Sequence, residues 1–139
     1  MTSEHHSDRQ ALLVIGMHRS GTSALTRVIN LHGVTLGSEL PGGAFDNEAG
    51  FWENQRVVNL HERLLADLDS SWDDPRELRE GWLDAAPIEA YLDQLMELIA
   101  AEFDDAKIWA VKDPRMCRLL PMWLKALPRM GIEPKLIFA

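Results

Sequence analysis

The sequence predicts an α/β domain: a parallel sheet of about three strands flanked by helices. Three observations carry this expectation. Short apolar runs at 11–15, 107–111 and 134–139 have the length of buried strands. The stretches between them carry apolar residues at helical spacing. The first two runs end in polar turns that lead straight into a helix, the alternation of parallel sheets with right-handed crossovers.

In chain order, residues 1–10 (MTSEHHSDRQ) are polar and read as a disordered tail, with the domain proper at 11–139. His5 and His6 suit a solvated terminus better than a metal site. Ala11 to Ile15 form the first strand, followed by Gly16-Met17-His18-Arg19-Ser20-Gly21-Thr22-Ser23 and then a stripe at Leu25, Val28, Ile29 and His32. Gly33 falls where a helix needs a left-handed cap. A glycine-bracketed, hydroxyl-rich turn between strand and helix directs amides inward, and the helix dipole favours an anion there.

The turn invites comparison with the Walker A spacing, G-x-x-x-x-G-K-[ST]. Gly16 and Gly21 match and Ser23 meets the final hydroxyl, but Thr22 occupies the lysine position and the basic residue, Arg19, lies inside the loop. Loss of the lysine argues against ordinary nucleotide hydrolysis. An arginine offers a planar fork for a phosphate or sulfate.

Residues 37–50 are rich in glycine, proline and acids, a loop long enough to be functional. A helix is expected over about 52–68, with Val57, Leu60, Leu64 and Leu68 as its stripe and His61 at the boundary. Residues 70–84 are irregular. Trp72 and Trp82 there suit packing or stacking on a ring, and Asp73-Asp74-Pro75 reads as a turn. A second amphipathic helix spans 86–103, with Ile88, Leu92, Leu95 and Ile99 inward. The strand at 107–111 runs into Lys112-Asp113-Pro114-Arg115, and a helical stripe follows in which Pro121 predicts a kink or restart. Open α/β sheets hold ligands at the carboxyl ends of their strands, where this tetrapeptide falls. PKLIFA, 134–139, is the third strand.

Composition narrows the function further. A length of 139 residues suits one domain, and 46% hydrophobic with 26% charged residues is ordinary for a globular chain. A formal charge of −8 disfavours a general nucleic-acid surface. A single cysteine, Cys117, excludes an internal disulfide and fits a reducing, cytoplasmic setting. No secretory signal pattern opens the chain, and no run approaches the ~18 apolar residues of a membrane helix.

The segment Gly16 to Ser23 resembles the 5′-phosphosulfate loop of sulfotransferases that use 3′-phosphoadenosine 5′-phosphosulfate (PAPS), most of all the broad bacterial family that often reads G-M-x-R-S-G-T-S here. Two further stretches are similar: Asp46, Asn47, Gly50 and Glu53 to a D-N-x-x-G-x-x-E pattern, and Lys112 to Arg115 to a K-[DE]-P-R pattern. The resemblance implies a P-loop-like sheet and sulfuryl transfer from PAPS to a hydroxyl or amine without a metal. Gly16, His18, Arg19, Ser20, Gly21, Thr22 and Ser23 would then bind the donor, and Lys112, Glu53 and Arg19 would be catalytic. Asp113 and Arg115 would contact substrate.

Alternatives stay open at several of these residues. Glu53 is a base near the acceptor or a first-turn acid offsetting a helix dipole. Lys112 reaches the transferring group, or ion-pairs with Asp113 in a turn. Asp113 also resembles a Walker B aspartate, which keeps a P-loop kinase or NTPase as an alternative. In the resembled family an arginine and a serine beyond the third strand hold the cofactor's 3′-phosphate. The chain is therefore expected to be the truncated amino-terminal part of that domain, with a catalytically silent binding module as a further alternative. A small-molecule, carbohydrate or lipid acceptor and a homo-oligomer are the expected partners.

Overall fold

The computed structural model of the chain describes residues 8–16, 21–37, 53–85, 87–104 and 106–138. Three strands, β1 (Arg9–Ile15), β2 (Ile108–Lys112) and β3 (Ile132–Phe138), form one parallel sheet in the order β2-β1-β3. Four α-helices accompany it: α1 (Thr22–Leu31), α2 (Gln55–Asp67), α3 (Pro87–Phe103) and α4 (Met116–Arg129). The α/β class with a three-stranded parallel sheet is thus the observed one. The chain leaves β1 for β2 on one side and returns to β3 on the other, so the strand order reverses at β1. Such a reversal opens a crevice beyond the carboxyl ends of the strands.

Strand alternation sorts the core. Ala11, Leu13, Ile15, Trp109 and Val111 face one large cluster with α2, α3 and α4. Phe103 stacks on Trp109 there with ring centroids 4.1 Å apart. Val14 and Ala110 are buried outside that cluster, on the opposite side, where α1 meets β1 and β2. By the same alternation Lys112 belongs to the α1 side, and Asp113, just past the strand, turns toward α2 and α4.

Several boundaries differ from the sequence expectation, each for a local reason. β1 begins at Arg9, inside the expected tail, because Gln10 N–H donates to Lys107 O (2.7 Å) and Arg9 donates to Phe103 O (3.1 Å). α2 begins at Gln55 because Asn54 caps it, accepting from the amides of Arg56 and Val57. Helix α4 is assigned continuously through both Pro121 and Pro128. Pro121 lies on the exposed side, where water can serve the carbonyl that loses its helical donor. β3 begins at Ile132 and tolerates Pro134, since among the described residues β3 is an edge strand. At the other edge Thr35 forms a single parallel bridge with Trp109.

Candidate functional site

The carboxyl ends of the strands bring the conspicuous motifs of the sequence to one edge. Val14 is level with Lys112 across the β1–β2 pairing, so Gly16 and Asp113-Pro114 leave the sheet side by side. Gly21 adopts φ 88°, the left-handed conformation that glycine accepts without strain, and caps α1. Leu25 N–H is bonded to Gly21 O at 3.1 Å. By helix geometry the amides of Thr22, Ser23 and Ala24 have no carbonyl within α1 to bond, and they sit at its positive end. Of the remaining residues of this loop, Met17, His18, Arg19 and Ser20 lie outside the described residues, as do Asp46, Asn47 and Gly50.

Two of the expected catalytic side chains meet. Lys112 Nζ donates to Glu53 Oε1 at 2.8 Å, with the lysine side chain 4% and the glutamate side chain 13% exposed. Glu53 reaches this position because Asn54, not Glu53, terminates α2. The glutamate therefore stands outside the first helical turn, and its carboxylate is met by the Lys112 ammonium group. Asn54 is in turn seated by Leu36 O, to which its amide donates at 3.4 Å.

Asp113 and Arg115 come together as well, but in a different setting. Asp113 is 1% exposed. Its Oδ2 accepts from His61 Nδ1 at 2.6 Å and its Oδ1 accepts from Arg115 Nη1 at 2.8 Å. The other nitrogen of His61, Nε2, accepts from the indole N–H of Trp123 at 2.9 Å. An indole N–H only donates, so Nε2 carries the lone pair and Nδ1 the proton: His61 is neutral and its tautomer is fixed from both sides. Arg115 continues the chain to Glu62 Oε1 at 2.9 Å. Burial raises the pKa of Asp113, but the His61 hydrogen bond and the Arg115 charge outweigh it and hold the carboxyl below its ordinary value. Burial likewise opposes the charge on Arg115, while Asp113, Glu62 and Glu53 raise its pKa overall.

His61 is thus fully buried between α2 and α4 rather than at a boundary, and both ring nitrogens are engaged. The partnership of His61 and Trp123 with Asp113 has no signature in the sequence, where they are 52 and 10 residues from it. The one available signal was a histidine on the inner side of the Leu60–Leu64–Leu65 stripe. The capping role of Asn54 was not anticipated by the helix expected from about 52, although an asparagine just before an apolar helical run is the signal that could have found it. Asp73-Asp74 is a turn: Asp74 accepts from Arg76 N–H at 2.9 Å and from its guanidinium, which holds the carboxyl well below the carboxylate range.

Fold and edge together define an α/β domain whose chemistry gathers beyond the carboxyl ends of a parallel sheet. Compared with models of known protein families, with curated proteins and with solved structures, the chain has no match. Among the described residues, no helix is long and apolar enough to cross a membrane.

Proposed function

We propose that this chain is a sulfotransferase, moving a sulfuryl group from PAPS to an acceptor hydroxyl or amine. The observation that carries the reading is the Lys112–Glu53 pair, 2.8 Å apart beside the glycine-bracketed turn after β1. A carboxylate and an ammonium at one edge are the two groups an in-line transfer asks for. The Glu53 carboxylate takes the acceptor proton as the acceptor oxygen or nitrogen bonds to sulfur. The bond from sulfur to the bridging oxygen breaks, and its electron pair stays on the phosphate, where Lys112 and Arg19 balance the charge. The amides at the start of α1 suit the 5′-phosphosulfate. Gly16, His18, Ser20, Gly21, Thr22 and Ser23 keep their proposed role as the donor loop, and Arg115 its proposed role beside the acceptor. Asp113 is reassigned to positioning, since both its oxygens are occupied.

That occupancy weighs against the kinase alternative. A Walker B aspartate needs an oxygen turned to magnesium, whereas both Asp113 oxygens are engaged by buried or half-buried partners. Calorimetric titration with 3′-phosphoadenosine 5′-phosphate, and separately with ATP and magnesium, tests the reading directly. Bisphosphate binding that Arg19→Ala removes is the expected result. Tighter, magnesium-dependent binding of ATP would overturn it.

A further inference from the structure

One residue past the Lys112-Asp113 pair, a groove of about 730 Å³ runs between the 72–78 loop and the start of α4. This is within the range of roughly 300–1,000 Å³ typical of small-molecule sites. Its walls carry two indoles. Trp72 is 54% exposed and Trp82 is half-buried. The wall is held in shape by Arg118, which donates to Ser71 O (2.9 Å), Ser70 Oγ (3.0 Å) and Arg76 O (2.8 Å), closing the loop onto α4. The Asp74–Arg76 fork, 2.6 Å at its shortest, braces the same loop from within. Such a groove needs little ordering when a ligand enters.

Its chemistry selects among ligands. Asp73, Asp74 and Glu77 line the groove together with Arg76, Arg115 and Arg118, so the formal charges balance and an anion gains nothing by net attraction. Each guanidinium has five donors and each carboxylate about four lone-pair positions, more than the bonds they make to Asp74, Asp113, Glu62 and the loop backbone consume. A ligand with many hydroxyls, each donating and accepting, uses both sets. A flat face of C–H bonds suits the negative face of an indole. A simple phenol would use the indoles and leave most of the polar rim unserved.

We propose that this groove binds a saccharide, with a pyranose ring against Trp72 and its hydroxyls shared between the carboxylates and the guanidinium groups. That the bound sugar is the sulfuryl acceptor rests on the sulfotransferase reading; that the groove binds sugar does not. The test is titration of the ¹⁵N-indole-labelled chain, without any nucleotide, with maltotriose, cellotriose and 2-naphthol. A saccharide is expected to shift the Trp72 indole signal saturably. Trp72→Ala is expected to weaken binding about tenfold and Trp72→Phe to restore most of it. Since Trp72 is more than half exposed, Trp72→Ala should keep the fold, checked by circular dichroism. Binding of naphthol alone, binding of nothing, or saccharide binding indifferent to Trp72→Ala would each overturn the proposal. Sugar binding in a chain that ignores the bisphosphate would remove the transferase reading and leave the groove; the reverse result would remove the groove and leave the transferase.

Discussion

Lys112 and Asp113 are neighbours in sequence, yet their side chains leave the end of β2 toward opposite faces and enter different chemistry. Lys112 meets the carboxylate of Glu53, which stands just ahead of the capped end of α2 and keeps partial access to water. Asp113 is locked by His61 from α2 and Arg115 from its own turn, with Trp123 of α4 fixing the histidine behind it. Glu53 is the partly accessible member of its pair, and its carboxylate can part from the lysine when a ligand arrives because water reaches it. A fully buried aspartate cannot part without leaving uncompensated charge. The acid of the K-D-P-R segment is therefore read as the anchor that fixes where the lysine stands, and the lysine as the group left to act.

The sharpest way to break that contrast is Asp113→Ala. It leaves Arg115 and the His61 Nδ1 proton without their acceptor, and unfolding in urea should show a loss of about 3–5 kcal/mol. Acid adds a second reading. The Asp113 pKa is lowered in the folded state, below an unfolded value of ~3.9. Its contribution is therefore fully present above that pH and is lost as pH falls through the folded value. Asp113→Asn should flatten the acid limb of the stability curve, and Asp74→Asn should do so far less, because the Arg76 partner of Asp74 is 71% exposed and water screens that pair. Equal flattening by the two variants would refute the anchor.

Trp123→Phe comes next. It keeps a ring in the core but removes the indole donor, orphaning His61 Nε2 in a site with no exposure. A loss of about 1–3 kcal/mol is expected from the unsatisfied acceptor. NMR of the His61 ring nitrogens would show the Nδ1–H tautomer in the parent, and observing the Nε2–H form would contradict the network.

A smaller loss is expected on the other side. Gly37 has φ 87°, and a Cβ there would lie 2.5 Å from Asn54 Nδ2. Gly37→Ala should cost about 1–2 kcal/mol through backbone strain and a displaced cap. Because Asn54 positions Glu53, the same variant should lower any transferase activity by more than its thermal shift accounts for. Chemical denaturation and product assays on one preparation would separate the two.

The sheet was legible because each strand is a short apolar run, the first two ending in polar turns, a local pattern that needs no knowledge of the rest of the chain. The edge that gathers the motifs was legible too, since parallel strands all finish on the same side. What could not be read was which way each side chain turns. Nothing near Asp113 announces that its partners are His61 and Trp123, because the contact exists only once α2 and α4 pack on the same face. The Asn54 cap shows the opposite limit: a shift of three residues at the start of α2 moved Glu53 out of the helix and into contact with Lys112.

The smallest expected effect on stability tests the lysine side of the contrast. Glu53→Gln removes the ion pair but keeps a hydrogen-bonding side chain of the same length, 13% exposed. A stability loss of about 1 kcal/mol is expected, because the amide oxygen still accepts a hydrogen bond from the buried Lys112 ammonium although the counter-charge is gone. Under sulfuryl transfer the same substitution removes the proton acceptor, and turnover should fall by about 10²–10⁴-fold with donor binding little changed. Lys112→Met supplies the complement: it keeps the buried stem, removes the ammonium, and should reduce turnover by about 10²–10³-fold. Should Glu53→Gln instead unfold the chain while turnover per folded molecule stays constant, the pair would be a second structural anchor like Asp113. The two sides of the β2 end would then differ only in exposure, not in purpose.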